Sequence, residues 1–202
     1  MTSSQKQVPV TPQPTSTPAP VASQHGQNGL VDQADLDDWK SRFNDVLSRP
    51  GEVLKSKSPE TAQPWSAGFF DCFHPIDTCF VTCCLPCVAF GKTRHRLRNS
   101  GSLDEYGAIN TSCLLYCGAA SFGLHWVPVA MQRMNMREKH NLTGSCLEDI
   151  LTSCFCYCCS LVQQDKEAEQ REQQLLSSSL QQQYKSNDEM QYVPKTAPKG
   201  FI

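Results

Sequence analysis

The sequence predicts a mainly α fold: a small cysteine-rich module of about three helical segments, carried between long disordered N- and C-terminal tails. Three observations predict it. All twelve cysteines of the 202-residue chain fall between Cys72 and Cys159. The same stretch holds the long apolar runs, and none of them shows the period-2 alternation of a strand. Outside it Pro, Ser, Thr and Gln dominate, and such segments bury too little apolar surface to offset the entropy lost on ordering them. The expected division is residues 1–63 as a tail, 64–169 as the module and 170–202 as a Gln-rich helical extension ending in a disordered tail. About a hundred residues make a modest core, which gains much from an added cross-link or metal.

Taken in order, Pro9, Pro12, Pro14, Pro18 and Pro20 give an extended start, partly polyproline II. One periodic stretch interrupts the tail. Leu36, Trp39, Phe43, Val46 and Leu47 recur at helical spacing, Asp32 or Asp35 supplies an N-cap, and Pro50-Gly51 a stop. This short amphipathic helix near residues 35–47 reads as docking on the module; a partner or membrane-surface helix is the alternative, and its acidic polar face argues against an anionic membrane. The module opens at Trp65. Residues 76–90 (IDTCFVTCCLPCVAF) are the first apolar segment and residues 113–131 (CLLYCGAASFGLHWVPVAM) the second, each followed by a basic run. After the turn HNLTG, Ser145 is placed to cap a third helix through LEDILTSCFCYCC. Residues 163–183 are rich in helix formers and read as an extension fraying into solvent.

Net charge is −2, and within 65–160 seven acids balance seven bases, so no nucleic-acid partner is expected. The first fourteen residues hold no apolar h-region and no small-residue cleavage site, which points to a cytosolic face for most of the chain and to reduced thiols. Between Glu105 and Arg133 no Asp, Glu, Lys or Arg occurs. The apolar run inside that gap has the length to cross about 30 Å of hydrocarbon. A membrane span and a buried core helix are both open for it, since Pro128, His125 and a small middle (GAAS) weaken the span. The first run contains Asp77 and Pro86 and suits the membrane interface better, with Lys92, Arg94, Arg96 and Arg98, and then Arg133 and Arg137, as membrane-facing basic flanks. A membrane location, the plasma membrane among the candidates, with lipid and other copies of the chain as partners, is the resulting expectation.

The cysteines carry the chemistry. Cys79, Cys83 and Cys87 stand at i, i+4 and i+8, and the same spacing recurs in Cys113/Cys117 and Cys154/Cys158. On a helix such pairs have Cβ atoms about 5–6 Å apart. Two thiolates bound at about 2.3 Å to one tetrahedral zinc lie roughly 3.8 Å apart, which such a pair can reach. The candidate ligands are Cys72, Cys79, Cys83, Cys87, Cys113, Cys117, Cys154, Cys156, Cys158 and Cys159, with His74 or His140 as a spare nitrogen. Zinc or another soft metal, Cd²⁺ or Cu(I), is the cofactor they would take, and no organic cofactor is expected. Zinc held this way supplies on the order of 10 kcal/mol of folding energy. Three to five of the twelve thiols are expected to be plain core packing. Disulfides require an oxidising face. Cys84-Leu85-Pro86-Cys87 is formally C-x-x-C but lacks the βαβ context of a redox motif. Nothing singles out one nucleophile, and no phosphate-binding loop, G-x-S-x-G or H-E-x-x-H occurs, so no enzyme is expected.

Four blocks, WSAGFFDCF, CFVTCCLPCVAFGK, MREKHNLTG and CFCYCCSLVQQDKE, give the chain its resemblance to the placenta-specific-8 domain, shared with cornifelin, the plant cadmium-resistance proteins and the fruit-weight and cell-number regulators. The resemblance covers about residues 65–169. Cys79 and Cys87 match the outer cysteines of the family's C-x₅-C-P-C signature. Leu85 stands where its middle cysteine usually sits, which withdraws that thiol from any carried-over site. Gln164-Asp165-Lys166-Glu167 replaces the usual Tyr-Arg-Glu ending. The resemblance implies a small membrane-associated protein linked to zinc, cadmium or calcium handling, or to growth and differentiation. The Pro/Thr/Ser-rich start and Gln-rich tail are in the style of a fungal member. Metal transport or resistance is the expected role, with a zinc-stabilised scaffold at the membrane as the alternative.

Overall fold

Each of the three apolar segments is a pair of helices. The computed structural model describes residues 31–74 and 76–190; the Pro-rich start and the residues after 190, expected to be disordered, lie outside the described residues. Among the described residues the fold is all helix: α1 Gln33–Ser48, α2 Pro50–Lys55, α3 Ile76–Cys84, α4 Pro86–Arg98, α5 Thr111–Ser121, α6 Trp126–His140, α7 Cys146–Phe155 and α8 Tyr157–Met190, with one 3₁₀ turn at Asp71–Phe73. The mainly α class holds, and each of the three expected segments is itself divided in two.

The three breaks have separate causes. Leu85 precedes a proline and is pushed out of the helical region, to φ −129° and ψ 58°, so α3 ends and Pro86 opens α4 at its first position. The two axes differ by 110°. Within residues 113–131, Gly123 adopts φ +72°. Its amide donates to Ala120 and that of Leu124 to Ala119, the pair of bonds that closes a helix C-terminus in a Schellman motif. The run therefore stops at Ser121 and restarts at Trp126, so the expected single helix through it is not formed. Cys156, at φ −142° and ψ 77°, separates α7 from α8. Ser145 caps α7, accepting from the Glu148 amide.

Residues 31–63 are laid along the module rather than left as a tail. Asp32 caps α1. Trp39, 1% exposed, enters a core of Phe90, Tyr116, Val129 and Leu161, its ring stacked 5.8 Å from that of Phe90 and its Nε1 donating to Ser112 Oγ at 3.0 Å. α1 stops at Ser48, just before Pro50 as expected, and Pro50 also opens α2. Residues 56–63 are then strapped to 141–146 by backbone bonds, among them Ser58 to Gly144, Gln63 to Asn141, Thr143 to Gln63 and Cys146 to Ser56. The docking of the helix is as expected; these backbone bonds are what the composition of the tail conceals.

The clustered bases hold helices together. Arg94, stacked over Trp39 at 4.6 Å, pairs with Asp35 and Asp38 of α1. Arg96 and Lys92 reach Asp165 of α8 at 3.1 and 3.2 Å. Arg133 and Arg137 of α6 share the two carboxylate oxygens of Asp149 at 3.1 and 2.9 Å, and Arg133 also lies 4.1 Å over the Trp65 ring. Arg94, Arg96, Arg133 and Arg137 are all buried. The expectation of membrane-facing basic flanks is therefore corrected for these four: a buried guanidinium is retained only where a carboxylate meets it. Lys92 and Arg98 are about one-third exposed, yet both are also paired, Arg98 with Asp32 at 2.9 Å.

Candidate metal centre

The break at Leu85 decides which thiols meet. It turns Cys87 away from the stripe expected with Cys79 and Cys83, and places it in the first turn of α4, beside α5. On α5, Cys113 and Cys117 keep their i, i+4 relation. Asn110 caps that helix by accepting from the Cys113 amide at 2.9 Å. The cap lies so close to α4 that a Cβ on Gly91 would fall 2.6 Å from the Asn110 Oδ1. A glycine at 91 thus sets the approach of the two ligand-bearing helices.

The sulfurs of Cys87, Cys113 and Cys117 lie within 4.8 Å of one another. Cys113 is buried, Cys87 half-buried and Cys117 exposed, so the group opens to the surface on the Cys117 side. Burial, and then the neighbouring Cys87 thiol, pushes Cys113 up to about 12; burial and Cys87 push Cys117 up as well. Without a metal these two thiols keep their protons at neutral pH, and a divalent cation must displace them. Tyr106 roofs the group. Its hydroxyl donates to the Val88 carbonyl at 3.1 Å and is itself pushed up to about 12, first by burial and then by Cys113. Three soft donors within 4.8 Å of one another could hold a metal ion, and a tetrahedral ion held there would have one further position to fill.

The other candidate ligands fall elsewhere. Cys72, Cys79, Cys83 and Cys158 are successive neighbours that perturb one another, from the 3₁₀ turn through α3 to the start of α8. Cys72 Sγ is also 3.1 Å from Cys159 Sγ, and Cys159 is joined to Cys156 by a disulfide. Cys154 is exposed at the end of α7, and the helix break separates it from Cys158, so the expected i, i+4 pair is not formed on one helix. His140 lies among Lys139, Arg171 and Glu167, and His74 offers its carbonyl to Lys166; neither is in the three-thiol group. Cys146, not a candidate, packs against Met134 at 3.3 Å. Sequence spacing missed the pairing of Cys87 with α5. The dipeptide Leu85-Pro86, a helix break followed by a helix start, was the available signal.

The thiol-rich end of the molecule is also its apolar end. Three uncharged stretches, residues 78–91, 106–132 and 150–164, meet there. Their meeting is marked by the Cys83–Cys158 contact, the three-thiol group and the stacking of His125 on Tyr157, with ring centroids 5.0 Å apart. Phe122 is 83% and Phe155 84% exposed, and Leu85 and Leu124 are about half exposed. Among the described residues no single helix is long and apolar enough to cross a membrane; α3 and α4 together have the length and composition but are sharply bent.

A chain built this way, helical, cysteine-rich and with its thiols gathered at an apolar pole, belongs to the PLAC8 family, whose model matches residues 65–167. Among its relatives, Protein Plant Cadmium Resistance 4 of Arabidopsis thaliana is 28% identical over 147 residues, 73% of this chain and 69% of that protein. Cell number regulator 10 of Zea mays is 33% identical over 115 residues, 56% of this chain and 69% of that protein. An uncharacterized protein of Neurospora crassa is 26% identical over 165 residues, 77% of this chain but 23% of its own length. No solved structure matches.

Proposed function

We propose that this chain is a non-enzymatic soft-metal-handling protein that holds zinc or cadmium through Cys87, Cys113 and Cys117 at a membrane surface. The observation that carries the proposal is the three sulfurs within 4.8 Å on two helices, one of them exposed. A centre with three thiolates and an open fourth position accepts a metal and releases it to a competing thiol, as a carrier in metal resistance requires. Relatives named for cadmium resistance support that role. The exposed Leu85, Phe122, Leu124 and Phe155 are the groups that enter the interface, leaving the charged body on the cytosolic side.

The test is a cobalt or cadmium titration of the full chain, counting metal per chain and recording thiolate-to-metal charge-transfer absorbance. Cys113→Ser lowers the count by one, whereas Cys154→Ser leaves it unchanged; an unchanged count in Cys113→Ser refutes the assignment. A second reading, a zinc-stabilised scaffold, is favoured by one feature. Leu176, Leu180 and Tyr184 form an exposed i, i+4, i+8 stripe on the outer half of α8, suited to a partner helix or a second copy of the chain. Cadmium tolerance of expressing cells separates the two: carriage raises it in a Cys113-dependent way, and a scaffold leaves it unchanged.

A further inference from the structure

The sulfurs that the first centre does not use are themselves ordered. Cys156 and Cys159 form a disulfide across the root of α8, and the Cys159 amide donates to Cys156 Sγ at 3.4 Å. A backbone N–H aimed at the first sulfur of a C-x-x-C, at the start of a helix, is the arrangement that steadies a thiolate once the disulfide is opened. Cys72 Sγ lies 3.1 Å from Cys159 Sγ, and both residues are buried. Cys79, in the first turn of α3, is near enough to Cys72 for the two thiols to perturb each other. Cys72, Cys159 and Val162 share a small apolar cluster with Phe69 and Cys156.

We infer that Cys72, Cys79, Cys156 and Cys159 form a second soft-metal site, closed by the Cys156–Cys159 disulfide and opened by its reduction. In the oxidised chain two of the four sulfurs are bonded to each other and offer no thiolate. A dithiol reductant transfers two electrons and two protons to the disulfide, becoming a cyclic disulfide itself and leaving two protein thiols. A divalent cation then replaces the four thiol protons, which go to solvent, and the product is a four-thiolate site of net charge −2. Such a site is closed, unlike the three-thiolate centre, and ties the 3₁₀ turn, α3 and the root of α8 to one ion. It therefore stores metal under reducing conditions, while the open centre exchanges it. The reading stands apart from that of Cys87, Cys113 and Cys117, because the two groups share no residue.

The experiment counts cadmium per chain by native mass spectrometry on the full chain. It compares protein carrying the Cys156–Cys159 disulfide, verified by peptide mapping, with the same protein reduced anaerobically. The oxidised chain binds one cadmium and the reduced chain two. Cys72→Ser with Cys79→Ser, which leaves the disulfide intact, binds one in both states, and Cys113→Ser binds none oxidised and one reduced. As a measure independent of any variant, cadmium protects Cys72, Cys79, Cys156 and Cys159 of the reduced wild-type chain from alkylation. Equal counts in the two redox states, or alkylation of those four thiols undiminished by cadmium, overturn the second site. Absence of metal from the oxidised chain overturns the first centre instead, so the two failures are distinct.

Discussion

Asp149→Asn removes one charge from a group of three at the centre of the packing between α6 and α7. Asp149 is 1% exposed, and its two oxygens accept from Arg133 Nε at 3.1 Å and Arg137 Nε at 2.9 Å. Burial pushes its carboxyl above the ordinary value even though the Arg137 bond and both guanidiniums pull the other way, and burial likewise lowers Arg133. Both directions say that desolvation outweighs the attraction, so the intact group adds no net stability over an apolar equivalent. Its rupture is another matter, because two buried guanidiniums then lose their counter-charge. Breaking such a group costs about 3–5 kcal/mol. For a chain of this size that is a fall in Tm of roughly 6–20 °C, read by far-UV circular dichroism. The triple variant Arg133→Met, Arg137→Met, Asp149→Leu recovers most of that loss, since it removes charge and counter-charge together. A single variant that costs less than about 1 kcal/mol, the range of an exposed ion pair, would falsify the reasoning. So would a triple variant no more stable than the single one.

Acid titration gives a second check. Burial raises the Glu167 carboxyl, but the bonds from Ser66 and Arg171 outweigh it and hold the group below its ordinary value. A depressed carboxylate contributes stability that is present above its unfolded pKa and lost as pH falls through the folded one. The urea midpoint therefore declines as pH drops below about 4.3, and Glu167→Gln flattens that decline; an equal slope in both proteins rejects it. Trp39→Ala costs about 3–5 kcal/mol by emptying the core under α1, measured by urea unfolding, and a value near zero would show that α1 does not dock. Gly91→Ala disturbs the Asn110 cap, costing about 1 kcal/mol and weakening cadmium binding at Cys87, Cys113 and Cys117; unchanged metal affinity contradicts the proposed spacing role. Phe122→Ser with Phe155→Ser lowers flotation of the chain with phospholipid vesicles, and undiminished flotation excludes the apolar pole as the membrane contact.

Much of this molecule was legible in residue order. The helical class, the cap at Ser145, the i, i+4 relation of Cys113 and Cys117 and the helical spacing of α1 all follow from local pattern, which short-range geometry governs. What pattern hid was where each apolar segment breaks and what the bases do. Leu85-Pro86 and Gly123 were visible as breakers, but a break says nothing of the direction in which the next helix leaves, and that direction joins Cys87 to Cys113 and Cys117 instead of Cys83. The arginines misled because a cluster of bases beside an apolar run reads the same whether it meets headgroups or carboxylates. The balance of seven acids against seven bases within 65–160 includes only one of the partners, Asp149; Asp165 of α8 and Asp35 and Asp38 of α1 lie outside it. The pairing itself is tertiary, and no period in the sequence encodes it.

Helix α8 runs unbroken for 34 residues from the thiol-rich end, about 51 Å at 1.5 Å per residue. Its first half packs on α4, as far as the contact of Glu172 with Arg96, and the rest stands clear. The outer part, about 27 Å from Glu172 to Met190, is thus a lever with its fulcrum at that contact. A tilt of roughly 10° there sweeps the far end through about 5 Å, carrying Leu176, Leu180 and Tyr184 with it. A small change in how the packed half sits on α4 is enlarged along this arm before another molecule meets it.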